Sequence, residues 1–174
     1  MQVFIVNGKG RSGKDTFVQE IEKYVIKNYL PFEIYKMSTI DCIKKIARSF
    51  GWNGEKEPKD RKMLSDLKDL LTEWNDYSFK DISYRIKQYG QIPNSVIFVD
   101  CREPKEIDRL VKEFGAKSLL VRRDNIDELE YGNHADDDVF NYNYDIEINN
   151  SGTLEDLTSL AAQFCEEFFK DVII

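Results

Sequence analysis

The sequence of 174 residues contains only three cysteines and a single histidine. Cys42, Cys101 and Cys165 are widely spaced and form no CxxC pair, so neither a disulfide framework nor a zinc site is expected. No stretch approaches the roughly 20 consecutive apolar residues that span a bilayer, and the N-terminal MQVFIV runs into glycines rather than a signal-peptide cleavage site. We therefore expect a cytoplasmic protein that does not enter a membrane.

Positive charge is scarce in the C-terminal part of the chain. The net charge is -7, and residues 124–174 hold 14 acidic residues but only one basic residue, Lys170. Residues 1–123 hold 24 basic residues against 18 acidic ones, so anionic ligands are expected there. An acidic chain without a long basic stripe is poorly suited to a nucleic-acid backbone. The charge pattern therefore argues against a nucleic-acid polymer as a partner and favours small phosphorylated ligands.

Short apolar runs alternate with helical patterns along the whole chain. The hydrophobic content of 41% suffices for one substantial core, and the length is too short for two ordinary domains. Strands are predicted over residues 2–6, 33–37, 96–100, 117–121 and 144–148. Helices are predicted over residues 14–29, 40–50, 59–75, 79–89, 104–114 and 154–169. This alternation predicts an α/β fold with a mostly parallel sheet, covered on both faces, that binds ligands at the carboxyl ends of its strands.

The helix predicted over residues 59–75 has an apolar stripe. Its members recur at three- and four-residue steps and are expected to share one buried face. They are Met63, Leu67, Leu70, Leu71 and Trp74.

The first strand runs directly into a glycine-rich loop, GKGRSGKDT. Gly8, Gly13 and Lys14 match the pattern GxxxxGK, but Asp15 replaces the usual Ser or Thr and a hydroxyl arrives one place later at Thr16. Glycines let backbone N–H groups turn towards phosphate oxygens, the following helix offers its positive end, and the lysine reaches the outer phosphates. The loop therefore predicts a nucleotide-phosphate site rather than an ordinary turn. Its predicted binding residues are Gly8, Lys9, Gly10, Arg11, Ser12, Gly13, Lys14, Asp15 and Thr16.

Asp15 has two compatible interpretations. In the first turn of a helix an acid interacts favourably with the helix dipole, by about 0.3–1 kcal/mol. A carboxylate at this place is also suited to a hydrated Mg²⁺ beside the phosphates, because that ion keeps several waters and prefers oxygen ligands. A second acid, Asp100, ends a predicted buried strand, and Arg102 follows two residues later. Asp15, Thr16 and Asp100 are the predicted magnesium residues, and Arg102 is the predicted clamp for an acceptor phosphate.

Two segments resemble the phage-type deoxynucleoside monophosphate kinases, which belong to the nucleoside monophosphate kinase group of P-loop proteins. The string RSGKDT looks like the phosphate loop of those kinases and is similar to that of the animal phosphomevalonate kinases. The string VIFVDCREPKEI resembles their DVRFPNE segment, with Glu103 and Lys105 in place of Phe and Asn. The matching positions are Asp100, Arg102, Pro104 and Glu106. The resemblance implies a P-loop NTPase three-layer sandwich with a five-stranded parallel sheet, adenylate-kinase-like, with ATP as phosphoryl donor and Mg²⁺ as cofactor.

The resemblance also implies an organisation of the chain. It predicts a single kinase domain over residues 1–174, with a helical acceptor-binding insert at about 38–92 and a short lid at about 123–142. The lid is acidic and poor in arginine, so catalysis by several lid arginines is not expected. His134 receives no catalytic role, and the acids Asp136 to Asp138 are interpreted as a solvated face.

Further candidate residues follow from the same resemblance. Ser38 and Arg61 are the candidate acceptor contacts in the insert, although a solvated helix arginine explains Arg61 equally well. Asn150 and Gly152 are expected beside the adenine, where a simple polar turn is the alternative. The predicted catalytic residues, which neutralise charge during transfer, are Lys14, Arg102, Arg122 and Arg123.

The predicted activity is transfer of the γ-phosphoryl group of ATP to a (deoxy)nucleoside monophosphate, which gives the diphosphate. Two alternatives stay open: a kinase for another phosphorylated metabolite such as phosphomevalonate, and a nucleotide-binding module without turnover. A nucleobase needs flat apolar contacts, and four side chains are candidates for them, although each is more often a core residue. They are Phe50, Trp52, Trp74 and Tyr77. The expected partners are small nucleotides, and the expected assembly is a monomer or a homodimer.

Overall fold

The computed structural model describes residues 1–55, 57–127 and 138–169. Its strands are β1 (Gln2–Asn7), β2 (Glu33–Ser38), β3 (Ser95–Asp100), β4 (Lys117–Arg122) and β5 (Ile146–Asn149). Its helices are α1 (Lys14–Lys27), α2 (Asp41–Ser49), α3 (Pro58–Asn75), α4 (Tyr77–Tyr89), α5 (Pro104–Phe114), α6 (Asp124–Asp127) and α7 (Leu154–Phe168). None of the helices in these described ranges is both long and apolar enough to cross a membrane.

The five strands form one parallel sheet in the order β2-β3-β1-β4-β5. The apolar runs of β1, β3 and β4 are explained by burial on both faces, which parallel strands flanked by helices require, whereas the edge strands β2 and β5 are more exposed. Val6 of β1 pairs in register with Asp100 of β3, so the chain leaves these two neighbouring strands at the same edge of the sheet. The topology, together with the glycine loop between β1 and α1, confirms the predicted P-loop NTPase three-layer sandwich with a five-stranded parallel sheet.

Alternating side chains of the central strands form two cores. On one face, Phe4 and Phe98 stack with their ring centroids 5.3 Å apart and pack with Phe17 of α1 and Phe164 of α7. On the other face, the central strands pack against α4 and α5 through a separate cluster of aliphatic side chains, which includes Ile5, Ile82, Ile97, Val99 and Ile107. The glycine loop therefore follows a strand that is packed on both faces.

A third, smaller cluster joins α2 to α3. Leu64 is buried there, and Met63, Leu67 and Leu71 pack against it. The prediction that Leu70 and Trp74 share this buried face is wrong, because both are exposed. Helix α4 also packs against α3, but Leu70 and Trp74 do not belong to the cluster that α3 forms with α2.

The last strand begins at Ile146 rather than at the predicted residue 144. The carboxylate of Asp145 accepts hydrogen bonds of 2.7 Å from both the backbone N–H and the hydroxyl of Ser118. The hydroxyl of Tyr144 donates to the carbonyl of Val139 at 2.7 Å. Side chains rather than a strand ladder therefore hold the two residues that precede β5.

Substitution of Phe164 tests the aromatic core. Phe164 is buried and its ring lies 5.0 Å from that of Phe4, so Phe164→Ala is expected to lower the free energy of unfolding by about 3–5 kcal/mol. Phe50→Ala is the matched control, because the same change at this exposed position is expected to alter stability by less than about 0.5 kcal/mol. Urea denaturation measures both, and similar losses in the two variants would contradict the assigned core.

Candidate active site

The glycine loop takes a backbone path that two of its residues can follow only as glycine. Gly8 has φ of 152° and Gly13 has φ of 93°. A Cβ atom on Gly8 would stand 2.5 Å from the carbonyl oxygen of Val121, and one on Gly13 would collide with the side-chain amide of Asn150. Gly13 is also the N-cap of α1 and has no side chain to accept from the first N–H groups of that helix. The positive end of α1 thus faces the loop, as anion binding requires.

Asn7, the last residue of β1, anchors the start of the loop. Its buried side-chain oxygen accepts from the N–H of Gly8 at 2.8 Å. Its amide nitrogen donates to the carbonyl of Arg102 at 3.2 Å and to the hydroxyl of Tyr144 at 2.7 Å. One side chain therefore joins the loop, the end of β3 and the segment before β5. Sequence reasoning missed this role, since the only local signal is a polar residue at the end of an apolar strand.

A cleft of about 360 Å³ opens beside the loop. Its lining residues are Arg11, Gly13, Lys14, Asp15, Thr16, Arg123, Asn150, Gly152, Thr153, Leu154 and Leu157. The structure therefore brings together the predicted loop residues with Arg123, Asn150 and Gly152. Asn150 also donates from its amide to the carbonyl of Ser12 at 2.9 Å, which ties the loop to the residues after β5. Leu154 and Leu157 add an apolar wall that the sequence analysis did not identify.

Acidic and basic side chains meet at the carboxyl ends of β1, β2 and β3. The Lys14 ammonium lies 3.1 Å from the carbonyl oxygen of Gly8. Asp15 forms an ion pair with Lys36, the fourth residue of β2. Burial raises the pKa of Asp100 above its ordinary value, and the positive charges of Lys14 and Lys36 oppose this shift. The site thus holds a carboxylate whose burial costs free energy.

The two carboxylates fit a magnesium ion. One oxygen of Asp100, Oδ1, is buried and has no hydrogen-bond partner among the residues that the structure describes. The carboxylate of Asp15 is exposed to the cleft, and Thr16 lines the same cleft. An ion that keeps several waters and takes one or two carboxylates suits such a pair of groups. The predicted metal residues therefore have suitable chemistry, and the unpartnered oxygen of Asp100 gives them a structural basis.

The predicted acceptor residues Ser38 and Arg102 lie at the ends of adjacent strands. The hydroxyl of Ser38 donates to the carbonyl of Asp100 at 3.3 Å, and its N–H donates to the carboxylate of Asp41 at 2.8 Å. Arg85 donates to the same carboxylate at 3.1 Å. These bonds fix the start of α2 against the end of β3, beside Arg102.

A partly buried charge network connects α3 to this edge of the sheet. Lys68, only 11% exposed, forms ion pairs with Glu103 and, at 2.8 Å, with Glu106. Burial opposes its charge, but the two carboxylates raise the pKa of Lys68 above its ordinary value. Arg61 is exposed about two helical turns earlier on the same helix and does not line the cleft. The structure thus reveals an anchor for α3 that no local pattern in the sequence indicated.

The two predicted lid-side cations occupy different places. Arg123 lines the cleft, whereas the guanidinium of Arg122 lies 5.2 Å from the ring centroid of Phe140 and 3.8 Å from Glu147. The ammonium of Lys9 also lies over the ring of Phe140, at 5.3 Å. Phe140 therefore holds two cations beside the loop, a role that sequence reasoning missed.

Several other predictions find no place in the cleft. Phe50 and Trp74 are exposed, and Trp52 and Tyr77 pack against the cluster between α2 and α3, so none of these four rings lines it. Residues 128–137 lie outside the described residues. The predicted lid over 123–142 is therefore described only at its two ends, and His134 and the side chains of Asp136 to Asp138 are not described.

Comparisons with known proteins bear on the fold alone. No family model matches the chain, and no curated protein matches it. A solved structure of a protein called APE1195 is 12% identical, with a TM-score of 0.53 over 96% of this chain and 95% of that one. The shikimate kinase of Aquifex aeolicus is 13% identical over 97% of this chain and 99% of that one, with a TM-score of 0.47. The Mycobacterium tuberculosis APS kinase CysC, solved with AMPPNP and APS, is 10% identical over 95% and 97%, with a TM-score of 0.47.

Two glycines with similar φ angles, Gly13 and Gly51, test the close contact between the loop and the side chain of Asn150. Gly51 has φ of 97° and open space around it, so Gly51→Ala is expected to cost about 1 kcal/mol from backbone strain. Gly13→Ala is expected to cost at least about 2 kcal/mol, because its methyl group also meets the amide of Asn150. Urea denaturation measures both losses. Equal losses would show that the Asn150 side chain moves aside without cost.

The partly buried carboxylate of Asp100 predicts a gain of stability on substitution. Near pH 7, Asp100→Asn is expected to raise the free energy of unfolding, because it removes a negative charge whose burial is unfavourable. A raised pKa means that the folded state binds the proton more tightly than the unfolded state. The wild-type protein therefore recovers stability as the pH falls from the raised pKa of the folded state to below the ordinary carboxyl pKa, and the advantage of the variant disappears.

Denaturant titrations at several pH values measure this difference. Asp145→Asn is the control of opposite sign, since hydrogen bonds from Ser118 lower the pKa of Asp145 and its substitution is expected to destabilise the protein near pH 7. A loss of stability in Asp100→Asn at neutral pH would contradict the account of Asp100.

Proposed function

We propose that this chain is an ATP- and Mg²⁺-dependent phosphotransferase that converts a (deoxy)nucleoside monophosphate to its diphosphate. One observation carries the proposal: the glycine loop, the partly buried carboxylate of Asp100 and the residue Arg102 converge at one edge of the sheet, joined by Asn7. The donor site is supported by this geometry. The choice of a nucleotide acceptor is supported by the resemblance of two sequence segments to the phage-type deoxynucleoside monophosphate kinases.

The donor phosphates would bind in the loop over residues 8–16. Its backbone N–H groups and the first turn of α1 provide donors for the phosphate oxygens, and Lys14 neutralises the outer phosphates. The cleft continues from the loop to Leu154 and Leu157, which offer an apolar wall for a base. Asn150 and Gly152 line the same cleft and would contact the adenine.

Asp15, Thr16 and Asp100 would hold a magnesium ion or its waters. The ion would supply positive charge that draws the terminal phosphates together and offsets the charge that develops during transfer. Arg102 would bind the acceptor phosphate, with Ser38 beside it at the end of β2. Arg123 lines the cleft and is the better placed of the two lid-side arginines to neutralise the transferring group.

The transfer needs no covalent intermediate and no strong base. A monophosphate is already ionised, so one of its oxygens forms the new bond to the γ-phosphorus as the bond to the bridging oxygen breaks and ADP leaves. The protein contributes positioning and charge neutralisation. The helical insert over about 38–92 and the lid over about 123–142, within one domain, belong to this proposal, as do a cytoplasmic location and a monomeric or dimeric assembly.

A panel of acceptors tests the proposal. The protein is incubated with ATP, Mg²⁺ and each of the common nucleoside and deoxynucleoside monophosphates, with phosphomevalonate as a further acceptor, and products are separated by chromatography. We expect a nucleoside diphosphate from at least one nucleotide. Lys14→Met is expected to lower turnover by at least about 100-fold, because it removes a charge from the outer phosphates. Lys27→Met, at the exposed far end of the same helix, is the control and is expected to retain turnover.

The outcomes separate the alternatives. Product from phosphomevalonate alone would contradict the nucleotide acceptor and keep the chemistry. Tight ATP binding without any product would favour a binding module. Full turnover in Lys14→Met would contradict the assignment of the loop.

A further inference from the structure

Lys36 is a charged residue of the site that the proposed function leaves without a role. It belongs to β2, two residues before Ser38, and its ammonium pairs with the carboxylate of Asp15 in the first turn of α1. Its charge also acts on Asp100, where it opposes the rise in the carboxyl pKa. Lys36 thus lies on the same strand as Ser38, the proposed acceptor contact, and its charge acts on both Asp15 and Asp100.

The ion pair between Lys36 and Asp15 can be broken at little cost in free energy. The side chain of Lys36 is 35% exposed and that of Asp15 is 66% exposed. Ion pairs with this exposure contribute only about 0–1 kcal/mol, because water screens them. Lys68 differs, since it is 11% exposed and two carboxylates hold it in place. Lys68 is a structural anchor, whereas Lys36 can leave its partner at little cost.

The distribution of charge along the chain indicates why a cation at position 36 would be needed. Residues 124–174 contain only one basic residue, Lys170, so the cations that face a bound triphosphate must come mainly from the first 123 residues. Three cations act on Asp100 from this part of the chain: Lys14, Lys36 and Arg102. The proposed function assigns Lys14 to the donor phosphates and Arg102 to the acceptor.

We propose that Lys36 binds the outermost phosphate of the donor, and that it exchanges Asp15 for that phosphate when the nucleotide enters. Asp15 lines the cleft beside Lys14, so a triphosphate in the loop would bring its last phosphate close to the Lys36 ammonium. A lysine suits this exchange, since its ammonium is a point charge on a mobile stem. The carboxylate of Asp15 is then turned towards magnesium. This inference rests on the proposed donor site, and it distinguishes triphosphate from diphosphate.

Calorimetric titration of the full chain tests the inference without any acceptor. The probes are AMPPNP, which has a third phosphate, and ADP, each with Mg²⁺. Lys36→Met is expected to weaken AMPPNP binding about tenfold, the effect of losing one charge-assisted hydrogen bond, and to change ADP binding by less than about twofold. Lys87→Met is the matched control, because Lys87 pairs with Glu113 across two helices away from the cleft. It is expected to bind both probes like the wild type.

A double-mutant cycle with Asp15→Asn separates contact from positioning. If Lys36 binds the phosphate, Lys36→Met still weakens AMPPNP binding about tenfold in the Asp15→Asn background. If it acts only by orienting Asp15, the loss disappears there, and the inference is overturned. Unchanged AMPPNP binding in Lys36→Met, or equal losses for both probes, would also overturn it.

The same titration distinguishes a failure of this inference from a failure of the proposed function. Wild-type protein that binds neither probe would contradict the donor site and the inference together. Wild-type protein that binds AMPPNP, with Lys36→Met identical to it, would overturn the role of Lys36 alone. A failure of the acceptor panel leaves the titration unaffected, because the titration contains no acceptor.

Discussion

The close approach of the glycine loop to its surroundings is the constraint on which the site depends. The loop leaves β1 with its first glycine against the carbonyl of Val121 and enters α1 with Gly13 against Asn150. Both neighbours belong to the β4–β5 side of the sheet. The loop is therefore held between the central strand and the region where a base would lie, and the same contacts that shape it also place it beside the cleft. Asn7 completes the arrangement by joining the loop to the end of β3.

The charges at the sheet edge leave one carboxylate incompletely compensated. Burial raises the pKa of Asp100, and its Oδ1 atom finds no partner among the described residues, although Lys14 and Lys36 act in its favour. A buried, unpartnered carboxylate oxygen lowers the stability of a folded chain. Such a group is expected where a cation binds, and functional sites often contain groups of this kind. The partly buried network of Lys68, Glu103 and Glu106 has the opposite character, because each charge there is paired.

The parts of the site that could be predicted from the sequence are local. The strand, the glycine loop and the helix follow one another within the first 27 residues, and their pattern of apolar, glycine and charged residues identifies them directly. Asp100 and Arg102 could be placed because a parallel strand must end at the same edge. The predicted start of β5 at residue 144 was wrong, because hydrogen bonds of the Tyr144 and Asp145 side chains take the place of a strand ladder. The periodicity of the segment does not reveal this.

The residues that were missed act through pairs distant in sequence. Asn7 meets Tyr144, Lys36 meets Asp15 and Lys68 meets Glu103, and no local pattern links the members of such a pair. Phe140 was missed for the same reason, since its importance comes from the two cations that lie over its ring. The apolar stripe of α3 had likewise predicted burial of Leu70 and Trp74, but both are exposed and do not join the cluster between α2 and α3.

The central claim is that the loop over residues 8–16 binds the phosphates of a nucleotide. A crystal structure of the protein with AMPPNP and Mg²⁺ tests it most directly. We expect the phosphates of AMPPNP to lie within hydrogen-bond distance of the loop N–H groups and of Lys14, and the base to lie between Asn150 and Leu157. Nucleotide bound elsewhere on the protein, with the loop unoccupied, would contradict the account.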